Sequence, residues 1–243
     1  MSAGIYIGTS GWHYDHWKGP FYPPDLADGA LLEHYAGIFD TAEINNSFYR
    51  LPEKGTLAGW KDAVPEDFVF SVKASRYLTH MKKLKDPREP LARLLDRTST
   101  LGDKLGPVLF QLPPRWRANP ERLAGLLEIL PEGRRYAFEF RDPDWFDAKI
   151  YGLLREHGSS FCVYDLAGET SPREITADYV YVRLHGPGGP YQGRYGAERL
   201  AGWAEAISAW RKQGLDVYCY FDNDQAGYAA EDALGLRRML EDG

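Results

Sequence analysis

The sequence predicts a (β/α)8 barrel, a closed ring of parallel strands surrounded by helices, as a single domain over 1–243. Three observations favour it. Eight short apolar runs alternate with segments of helical periodicity. The length of 243 residues is close to the roughly 250 residues that such barrels usually have. Most of the apolar runs end in polar residues, as barrel strands do at their functional end. An open doubly wound sheet is the alternative, but neither a GxGxxG fingerprint nor a P-loop supports it.

The first third of the chain contains three predicted strands. An apolar strand opens the segment 4–17 and leads into a loop of glycines, hydroxyls and aromatic residues. Apolar residues spaced three and four apart predict a helix over 30–39, and a strand with polar residues at its end follows over 41–50. A helix around 56–63 then precedes the alternating strand 68–75.

The middle third repeats the same unit. A helix over 90–104 precedes the strand 107–112, which two prolines terminate. The next helix, 120–130, begins with a proline, a residue that is favoured in the first turn. It leads to the strand 136–141, and a helix over 145–157 ends at a glycine.

The last third contains three more strands. The strand 160–165 is followed by a loop without clear periodicity, which reaches the strand 179–185. A glycine-rich segment and a strong helix over 197–212 come next. The strand 217–222 and a closing helix over 228–240 complete the predicted barrel.

Composition narrows the classes of function. The formal net charge is −6 and the pI is near 5.6, which argues against general affinity for duplex nucleic acid or anionic membranes. Cys162 and Cys219 each lie in an aromatic strand, so we expect two reduced core thiols. The first strand starts so early that we expect no targeting segment, and no apolar run is long enough to span a membrane. These features predict a cytoplasmic protein.

Polar residues on the predicted strands indicate a site. Because a barrel strand is covered on both faces, a polar residue on it needs a role. One apolar parity of each strand suits packing beneath the helices, and the other parity points into the barrel. The polar residues of the second parity, mostly at the C-terminal ends, are Glu43, Asn45, Ser71, Lys73, Gln111, Glu139, Arg141, Asp165, Arg183, His185 and Asp222.

Two interpretations of this set stay open. The carboxylates and the cations could neutralise one another as a buried ion-pair network. Alternatively, seven strands converging on one rim form an active site. In that case Glu43 and Glu139 act as general acid and base, and Lys73 acts as a base or an electrostatic stabiliser. Arg141 offers a fork for a carboxylate or phosphate, and so does Arg183. His185 carries a proton or is a hydrogen-bonded rim histidine.

A divalent metal ion is a rival interpretation of the same rim. An oxygen and nitrogen ligand set is available in Glu43, Glu139, Asp165, His185 and Asp222. No compact ligand motif supports it, and the three rim cations would repel an ion. The sequence therefore implies no definite cofactor, with a divalent metal as the alternative.

Aromatic residues form a second layer in the loops that follow strands. Stacking on a sugar ring or a base is open to them, as is a role in the loop core. They are Trp12, Tyr14, Trp17, Phe48, Tyr49, Trp145, Tyr191 and Tyr195. The glycine-rich segment 186–193 is a candidate lid, and His80 lies just beyond the third strand.

Several spaced motifs resemble the YecE-like family, also called domain of unknown function 72 (DUF72). They include Gly8-Thr-Ser-Gly-Trp12, Glu43-Ile-Asn-Asn-Ser-Phe-Tyr-Arg-Leu-Pro52, Phe70-Ser-Val-Lys-Ala-Ser75 with Thr79-His80, Gly106-Pro-Val-Leu-Phe-Gln-Leu-Pro-Pro114, Glu139-Phe-Arg141, Tyr181-Val-Arg-Leu-His-Gly186 and Tyr220-Phe-Asp-Asn-Asp224. The resemblance implies a TIM-type barrel that is distantly related to sugar isomerases and has no established activity. The family positions that it implies are Glu43, Asn45, Lys73, Gln111, Glu139, Arg141, Arg183, His185, Asn223 and Asp224.

The sequence favours an enzyme that uses acid–base chemistry on a small polar substrate, anionic or polyhydroxylated, at the barrel rim. The predicted catalytic residues are Glu43, Lys73, Glu139 and His185. The predicted substrate-binding residues are Asn45, Gln111, Arg141, Asp165, Arg183, Asp222, Asn223, Trp12 and Tyr49. The alternatives are a metal-dependent hydrolase or phosphoesterase, and a non-catalytic module that binds a nucleotide, a sugar or a nucleic-acid end.

Overall fold

The computed structural model describes residues 3–241, and this part of the chain forms nine strands. Eight are parallel and follow one another around the sheet in the order β1-β9-β8-β6-β5-β4-β3-β2. The short β7 pairs antiparallel with β6. The strands are β1 Ile5–Thr9, β2 Thr41–Ile44, β3 Val69–Lys73, β4 Leu105–Gln111, β5 Tyr136–Glu139, β6 Ser160–Leu166, β7 Glu169–Thr170, β8 Tyr179–Leu184 and β9 Asp216–Phe221. The predicted α/β barrel is confirmed.

Helices follow every barrel strand except β6. Between β6 and β8 the chain forms the β7 hairpin and an irregular stretch, as its lack of periodicity predicts. None of the helices in residues 3–241 is long and apolar enough to cross a membrane. The helices are α1 Leu31–Ala36, α2 Lys54–Asp62, α3 Arg88–Thr98, α4 Pro120–Leu127, α5 Ala148–Glu156, α6 Ala197–Lys212 and α7 Tyr228–Glu241.

Several elements are shorter than predicted, and local chemistry explains two of the differences. The predicted helix 145–157 begins only at Ala148, because the Asp147 side chain accepts a hydrogen bond from the Lys149 N–H at 2.8 Å and caps the helix there. The predicted helix 90–104 ends at Thr98. A 3-10 turn follows it, and Gly102 at φ +57° redirects the chain into β4.

The ring closes between β1 and β2 through a tyrosine hydroxyl. The Tyr35 hydroxyl of α1 accepts a hydrogen bond from the Thr9 N–H at 2.9 Å and donates one to the Thr41 carbonyl at 3.0 Å. Nearer the rim, the Gly11 N–H donates directly to the Glu43 carbonyl at 2.8 Å. A Cβ atom at Gly8 would lie 2.2 Å from the Thr41 carbonyl oxygen, so glycine is required for this close approach.

The strand parities form two separate cores. One parity packs beneath the helices in the larger apolar cluster. The other fills the barrel interior and is dominated by tyrosines that keep their hydroxyls hydrogen-bonded, since buried polar groups need partners. Tyr220, for example, is within 2.7 Å of the Thr41 hydroxyl and 2.8 Å of the Ser71 hydroxyl. The interior residues are Leu109, Ala137, Cys162, Tyr179, Tyr181, Tyr218 and Tyr220. Both cysteines are buried free thiols, as predicted.

Candidate functional site

A fully buried arginine stands at the centre of the polar rim. The Arg183 side chain comes from the end of β8 and is 0% exposed. It forms ion pairs with three carboxylates from different strand ends. Its Nη2 lies 2.7 Å from Glu43 Oε1 and 3.0 Å from Asp222 Oδ2. Its Nη1 lies 2.9 Å from Glu139 Oε2. The rim residues that the sequence places on separate strands therefore share one network.

The carboxylates of this network have further partners. Glu43 accepts hydrogen bonds from the Ser10 hydroxyl and, at 2.7 Å, from the Tyr181 hydroxyl. Glu139 accepts one from Nε of Arg141. Glu43 and Glu139 are both 0% exposed, so charge-assisted hydrogen bonds take the place of the water that would otherwise solvate their carboxylates.

The hydrogen bonds around His185 define its tautomer. Its Nδ1 lies 3.0 Å from Asp222 Oδ2, and its Nε2 lies 2.8 Å from Nη2 of Arg141. A guanidinium can only donate, so Nε2 accepts from Arg141 while Nδ1–H donates to Asp222. His185 therefore presents Nδ1–H to Asp222 and Nε2 to Arg141.

The charges of the network determine its protonation. Burial alone would raise the pKa of Glu139, but the adjacent guanidiniums of Arg141 and Arg183 hold it well below its usual range. The pKa of Asp222 is also lowered, because Arg183 and His185 outweigh the effect of burial. Although burial opposes the charge of Arg183, the three carboxylates keep its pKa above its ordinary value. Glu139 and Asp222 are therefore ionised at neutral pH.

Lys73 lies beside this network with a different environment. It ends β3, and its side chain is only 6% exposed. Its Nζ lies 4.5 Å from the centre of the Phe48 ring. Within residues 3–241, no carboxylate oxygen comes within 4.0 Å of this Nζ. Burial, and next the charge of Arg183, lower the pKa of Lys73 to about 8.

His80 also contacts the Phe48 ring. The two rings meet edge to face at 4.9 Å. Burial and the charge of Lys73 lower the pKa of His80 to about 4, so its imidazole is neutral at pH 7. His80 belongs to a π-helical turn, Tyr77–Met81, an irregularity that is frequent at functional sites.

Arg141 is the outermost cation of the network. Its side chain is 7% exposed, whereas those of Glu139 and Arg183 are fully buried. Its guanidinium stacks on the Tyr164 ring at 4.9 Å. In residues 3–241 its Nη1 has no hydrogen-bond acceptor, so one arm of the fork is available to a ligand.

The glycine-rich segment folds over His185. The Tyr191 N–H donates to the His185 carbonyl at 2.6 Å, and the two rings are perpendicular at 5.5 Å. Gly186 has φ +104°, and a Cβ there would lie 2.3 Å from the Gln192 carbonyl oxygen. Tyr191 is 44% exposed, so a tyrosine side chain stands between the network and solvent.

Backbone strain is concentrated at the same end of the barrel. Among residues 3–241, the non-glycine residues with positive φ all lie in loops that follow the C-terminal ends of strands. Strained conformations of this kind cluster at functional sites. They are Lys83, Leu84, Asp86, Arg115, Ala167 and Tyr191.

An aromatic cavity of about 430 Å³ adjoins the network at the ends of β1 and β2. Three of the predicted binding residues line it, Trp12, Asn45 and Tyr49, and Tyr49 is 79% exposed. The buried Oδ1 of Asn45 has no hydrogen-bond partner among residues 3–241. The lining residues are Gly11, Trp12, His13, Tyr14, Ile44, Asn45, Asn46, Tyr49 and Trp60. The cavity joins the network through Tyr14, whose hydroxyl donates to the Ser10 carbonyl at 2.7 Å.

The expectation that Asp165 points into the barrel is wrong. Cys162 and Tyr164 face inward, beside Glu139 and Arg141 respectively. Alternation therefore turns Asp165 outward, where its carboxylate lies 3.6 Å from Arg199.

Two other predicted binding residues have different surroundings. The Asn223 amide donates at 2.8 Å to both the Gly193 carbonyl and Asp232 Oδ2, so it fastens the glycine-rich segment to α7. Gln111 lies opposite Glu139 in the β4–β5 register. Its amide has no hydrogen-bond partner within residues 3–241. Gln111 is thus at the rim, whereas Asn223 lies behind it.

Most of the predicted loop aromatics divide between the core and the site. Trp17 and Trp145 are 0% exposed, and the Trp145 indole N–H donates to the Trp116 carbonyl at 2.6 Å. Tyr195 is also buried, and its hydroxyl accepts from the Gly186 N–H at 3.1 Å. These three stabilise loops, while Tyr14, Phe48 and Tyr191 face the rim.

The residues do not fit the five-ligand metal site. Asp165 lies outside the network, and the Arg183 guanidinium occupies the position between the carboxylates of Glu43, Glu139 and Asp222. In the described part of the chain, no group of three or more His, Cys, Asp or Glu residues is placed to hold a metal ion.

The sequence interpretation missed three members of the network. Ser10 and Tyr181 donate to Glu43, and the Cys162 thiol lies 3.9 Å from Glu139 Oε2. The parity of β8 could have identified Tyr181, because it lies two residues before Arg183. Ser10 gives no such signal, since its role depends on how the ring closes.

The family model and the relatives in sequence that match this chain name no activity. The family model described as "Protein of unknown function DUF72" matches residues 6–243. The UPF0759 protein YunF of Bacillus subtilis is 28% identical in an alignment of 274 positions, which covers 98% of this chain and 95% of that protein. The UPF0759 protein YecE of Escherichia coli is 29% identical over 145 residues, covering 58% of this chain and 50% of YecE.

Solved structures have the same fold. The crystal structure of a DUF72 family protein from Thermotoga maritima superposes with a TM-score of 0.87 at 29% identity, covering 98% of this chain and 99% of that one. A DUF72 family protein from Enterococcus faecalis gives 0.83 at 20% identity, covering 98% and 95%.

Proposed function

The chain belongs to the DUF72 family, and we propose that it is an enzyme that uses acid–base chemistry on a small anionic, sugar-like substrate at the C-terminal rim of its barrel. Lys73 and His185 are the proton-transfer groups in this proposal. Arg141 binds the anionic group of the substrate, and the buried carboxylates hold these three in position.

The hydrogen bonding of His185 is the observation that carries the proposal. Asp222 at 3.0 Å fixes the Nδ1–H tautomer, which leaves Nε2 as the basic atom. Nε2 contacts Arg141 Nη2 at 2.8 Å and Arg183 Nη1 at 3.4 Å, and it lies 3.3 Å from Glu139 Oε1. When a substrate draws Arg141 away, Nε2 loses its shortest contact and can accept a proton from the substrate. Asp222 would stabilise the imidazolium that forms, as a carboxylate does in other histidine-based sites.

The anionic preference follows from Arg141. One arm of its guanidinium pairs with Glu139 and another contacts His185, which leaves Nη1 available. A guanidinium fork matches carboxylate and phosphate geometry. Stacking on Tyr164 holds its plane, so little entropy is lost when an anion binds.

Glu43 and Glu139 have a positioning role in this proposal instead of the acid–base role that the sequence suggests. Both are fully buried and already hydrogen-bonded. Because the pKa of Glu139 is well below its usual range, Glu139 lacks a proton to donate at pH 7.

The aromatic cavity supports a sugar-like substrate and also a second candidate function. Trp12, Tyr14 and Tyr49 offer faces for a sugar ring, and Asn45 offers a side-chain oxygen, Oδ1, that has no hydrogen-bond partner in the described part of the chain. The same features would suit a binding module without catalysis. Such a module would bind the same ligands but would change none of them.

Thermal denaturation with matched ligand pairs tests the anionic preference. We expect gluconate and glucose 6-phosphate to stabilise the protein and glucose to have no effect. A ligand at 100 times its Kd adds about 2.7 kcal/mol, which is about 5–11 °C for a chain of this size. Arg141→Lys keeps the charge but removes the fork, so it should abolish the shift.

Arg135→Lys is the matched control for Arg141→Lys. Arg135 lies at the opposite end of the barrel, where it pairs with Asp216 at 2.7 Å and stacks on Tyr179 at 4.8 Å. Arg135→Lys therefore removes a paired and stacked guanidinium, as Arg141→Lys does, but far from the rim. Equal stabilisation by glucose, or equal ligand shifts in both variants, would contradict the anion site.

Deuterium incorporation separates the enzyme from the binding module. We expect a stabilising ligand incubated in D2O to exchange a carbon-bound hydrogen or to give a product, as followed by NMR. Lys73→Met should abolish this exchange. Lys85→Met should leave it unchanged, because Lys85 is exposed in the loop that follows β3. Saturable stabilisation with neither exchange nor product in the wild-type protein would support the binding module.

A further inference from the structure

Lys73 differs from the other two rim cations in its partners. Arg141 and Arg183 each form ion pairs with carboxylates. In residues 3–241, the Nζ of Lys73 has neither an ion pair nor a hydrogen bond. Its neighbour is the face of the Phe48 ring at 4.5 Å. Burying a charged lysine without an ion pair costs free energy, and Lys73 is only 6% exposed. This cost favours a role for the neutral amine of Lys73.

We propose that Lys73 is a covalent nucleophile that forms a Schiff base with an aldehyde or ketone group of the substrate. This inference rests on the proposed function, because it uses the same rim and the same anion site, and it specifies the substrate as a carbonyl compound. In this inference Lys73 acts by covalent catalysis and not only by proton transfer.

The surroundings of Lys73 favour an amine over an ammonium. Burial and the charge of Arg183 act against its protonation, while Asp222 and the two buried glutamates only partly oppose them. With a pKa of about 8, about a quarter of Lys73 is neutral at pH 7.5, against about one in a thousand for an ordinary lysine. This is about a two-hundredfold gain in nucleophilic amine.

The site also holds Lys73 in one place. Its backbone carbonyl accepts the Ser47 hydroxyl at 2.6 Å, which fixes the end of β3 beside the Phe48 turn. The Phe48 ring contacts both the Lys73 Nζ, at 4.5 Å, and the half-buried His80 ring, at 4.9 Å. Because the pKa of His80 is lowered to about 4, His80 adds no second charge to the surroundings of the amine at pH 7.5.

The proposed step balances without an oxidant or a reductant. The Nζ lone pair forms a C–N bond as the carbonyl π electrons move to oxygen. One N–H proton passes to that oxygen and gives a carbinolamine. The second N–H proton converts the hydroxyl to water, which leaves as the nitrogen lone pair completes the C=N bond. Solvent carries these protons and then protonates the imine.

Reductive trapping tests the inference directly. The intact protein is incubated at pH 7.5 with glyoxylate or glyceraldehyde 3-phosphate and sodium cyanoborohydride, and is then analysed by intact and peptide mass spectrometry. We expect one reduced adduct per chain, on Lys73. It should form about two-hundredfold faster than labelling of Lys85, which is exposed in the following loop.

Two variants complete the test. Lys73→Met should remove the fast adduct, and Arg141→Lys should slow it for these anionic probes. Labelling of Lys73 at the rate of an exposed lysine, or labelling spread evenly over surface lysines, would overturn the inference. If trapping fails while anions still stabilise the protein and deuterium exchange persists, only the covalent role is wrong. If neither ligand response is observed, the proposed function fails as well.

Discussion

Replacing Glu139 by glutamine removes one negative charge from the centre of the network without changing the shape of the side chain. In the native protein this carboxylate is 0% exposed and pairs with Arg183 at 2.9 Å and with Arg141. It also lies 3.3 Å from Nε2 of His185. Glu139→Gln therefore leaves two buried guanidiniums short of one compensating charge.

The expected loss of stability follows from that geometry. Removing one partner of a buried ion pair lowers the free energy of unfolding by about 3–5 kcal/mol. For a chain of this length, that corresponds to about 6–20 °C in Tm. Glutamine can still accept one hydrogen bond, so the lower half of this range is expected, and the fold should survive.

Urea denaturation followed by circular dichroism measures this change. Glu89→Gln is the control, because Glu89 is exposed and pairs with the exposed Arg93 across one helical turn. It should leave the midpoint unchanged. The double variant Glu139→Gln, Arg141→Met removes one of the uncompensated cations, so it should lose less stability than the sum of its two single variants. A Glu139→Gln midpoint equal to that of the wild-type protein would refute the reasoning.

Two further predictions concern pH and closure of the barrel. The folded-state pKa values of Glu139 and Asp222 are lowered by the neighbouring cations, so the unfolded chain binds more protons in acid. The stability that these two carboxylates contribute is present above about pH 4.5 and is lost as the pH falls below that value. The urea midpoint should therefore decrease below about pH 4.5, and it should decrease less steeply in Glu139→Gln. Tyr35→Phe removes the hydroxyl between Thr9 and Thr41. It should destabilise the protein by about 1–3 kcal/mol in the same assay with the ligand response intact, and an unchanged midpoint would argue against this closure.

The fold is predictable because its signals are local. Strand and helix periodicity depend on neighbours in the chain, and the barrel follows from eight repeats of one unit. The rim is predictable for a related reason: a polar residue that ends an otherwise buried strand has no solvent to face unless the strands converge on a site. Glu43, Glu139 and Arg183 meet as that argument requires.

The individual partners depend on contacts that no local pattern encodes. Asp165 follows five buried residues of β6 without an apolar and polar alternation, so only the barrel register shows that it faces Arg199. Ser10 reaches Glu43 because the ring closes there. The mixed surroundings of Lys73 likewise depend on loops from two different strands.

The network has a charge balance that links its structure to the proposed chemistry. Three carboxylates face two arginines and Lys73, so the charges of these six groups cancel only while Lys73 is protonated. Deprotonating Lys73 leaves an excess negative charge beside a site that binds anions. In the proposed mechanism, the protonated Schiff base restores the positive charge at the same atom. Covalent capture at Lys73 would then strengthen binding of an anionic substrate as the reaction proceeds, because a preorganised site stabilises charge that develops within it.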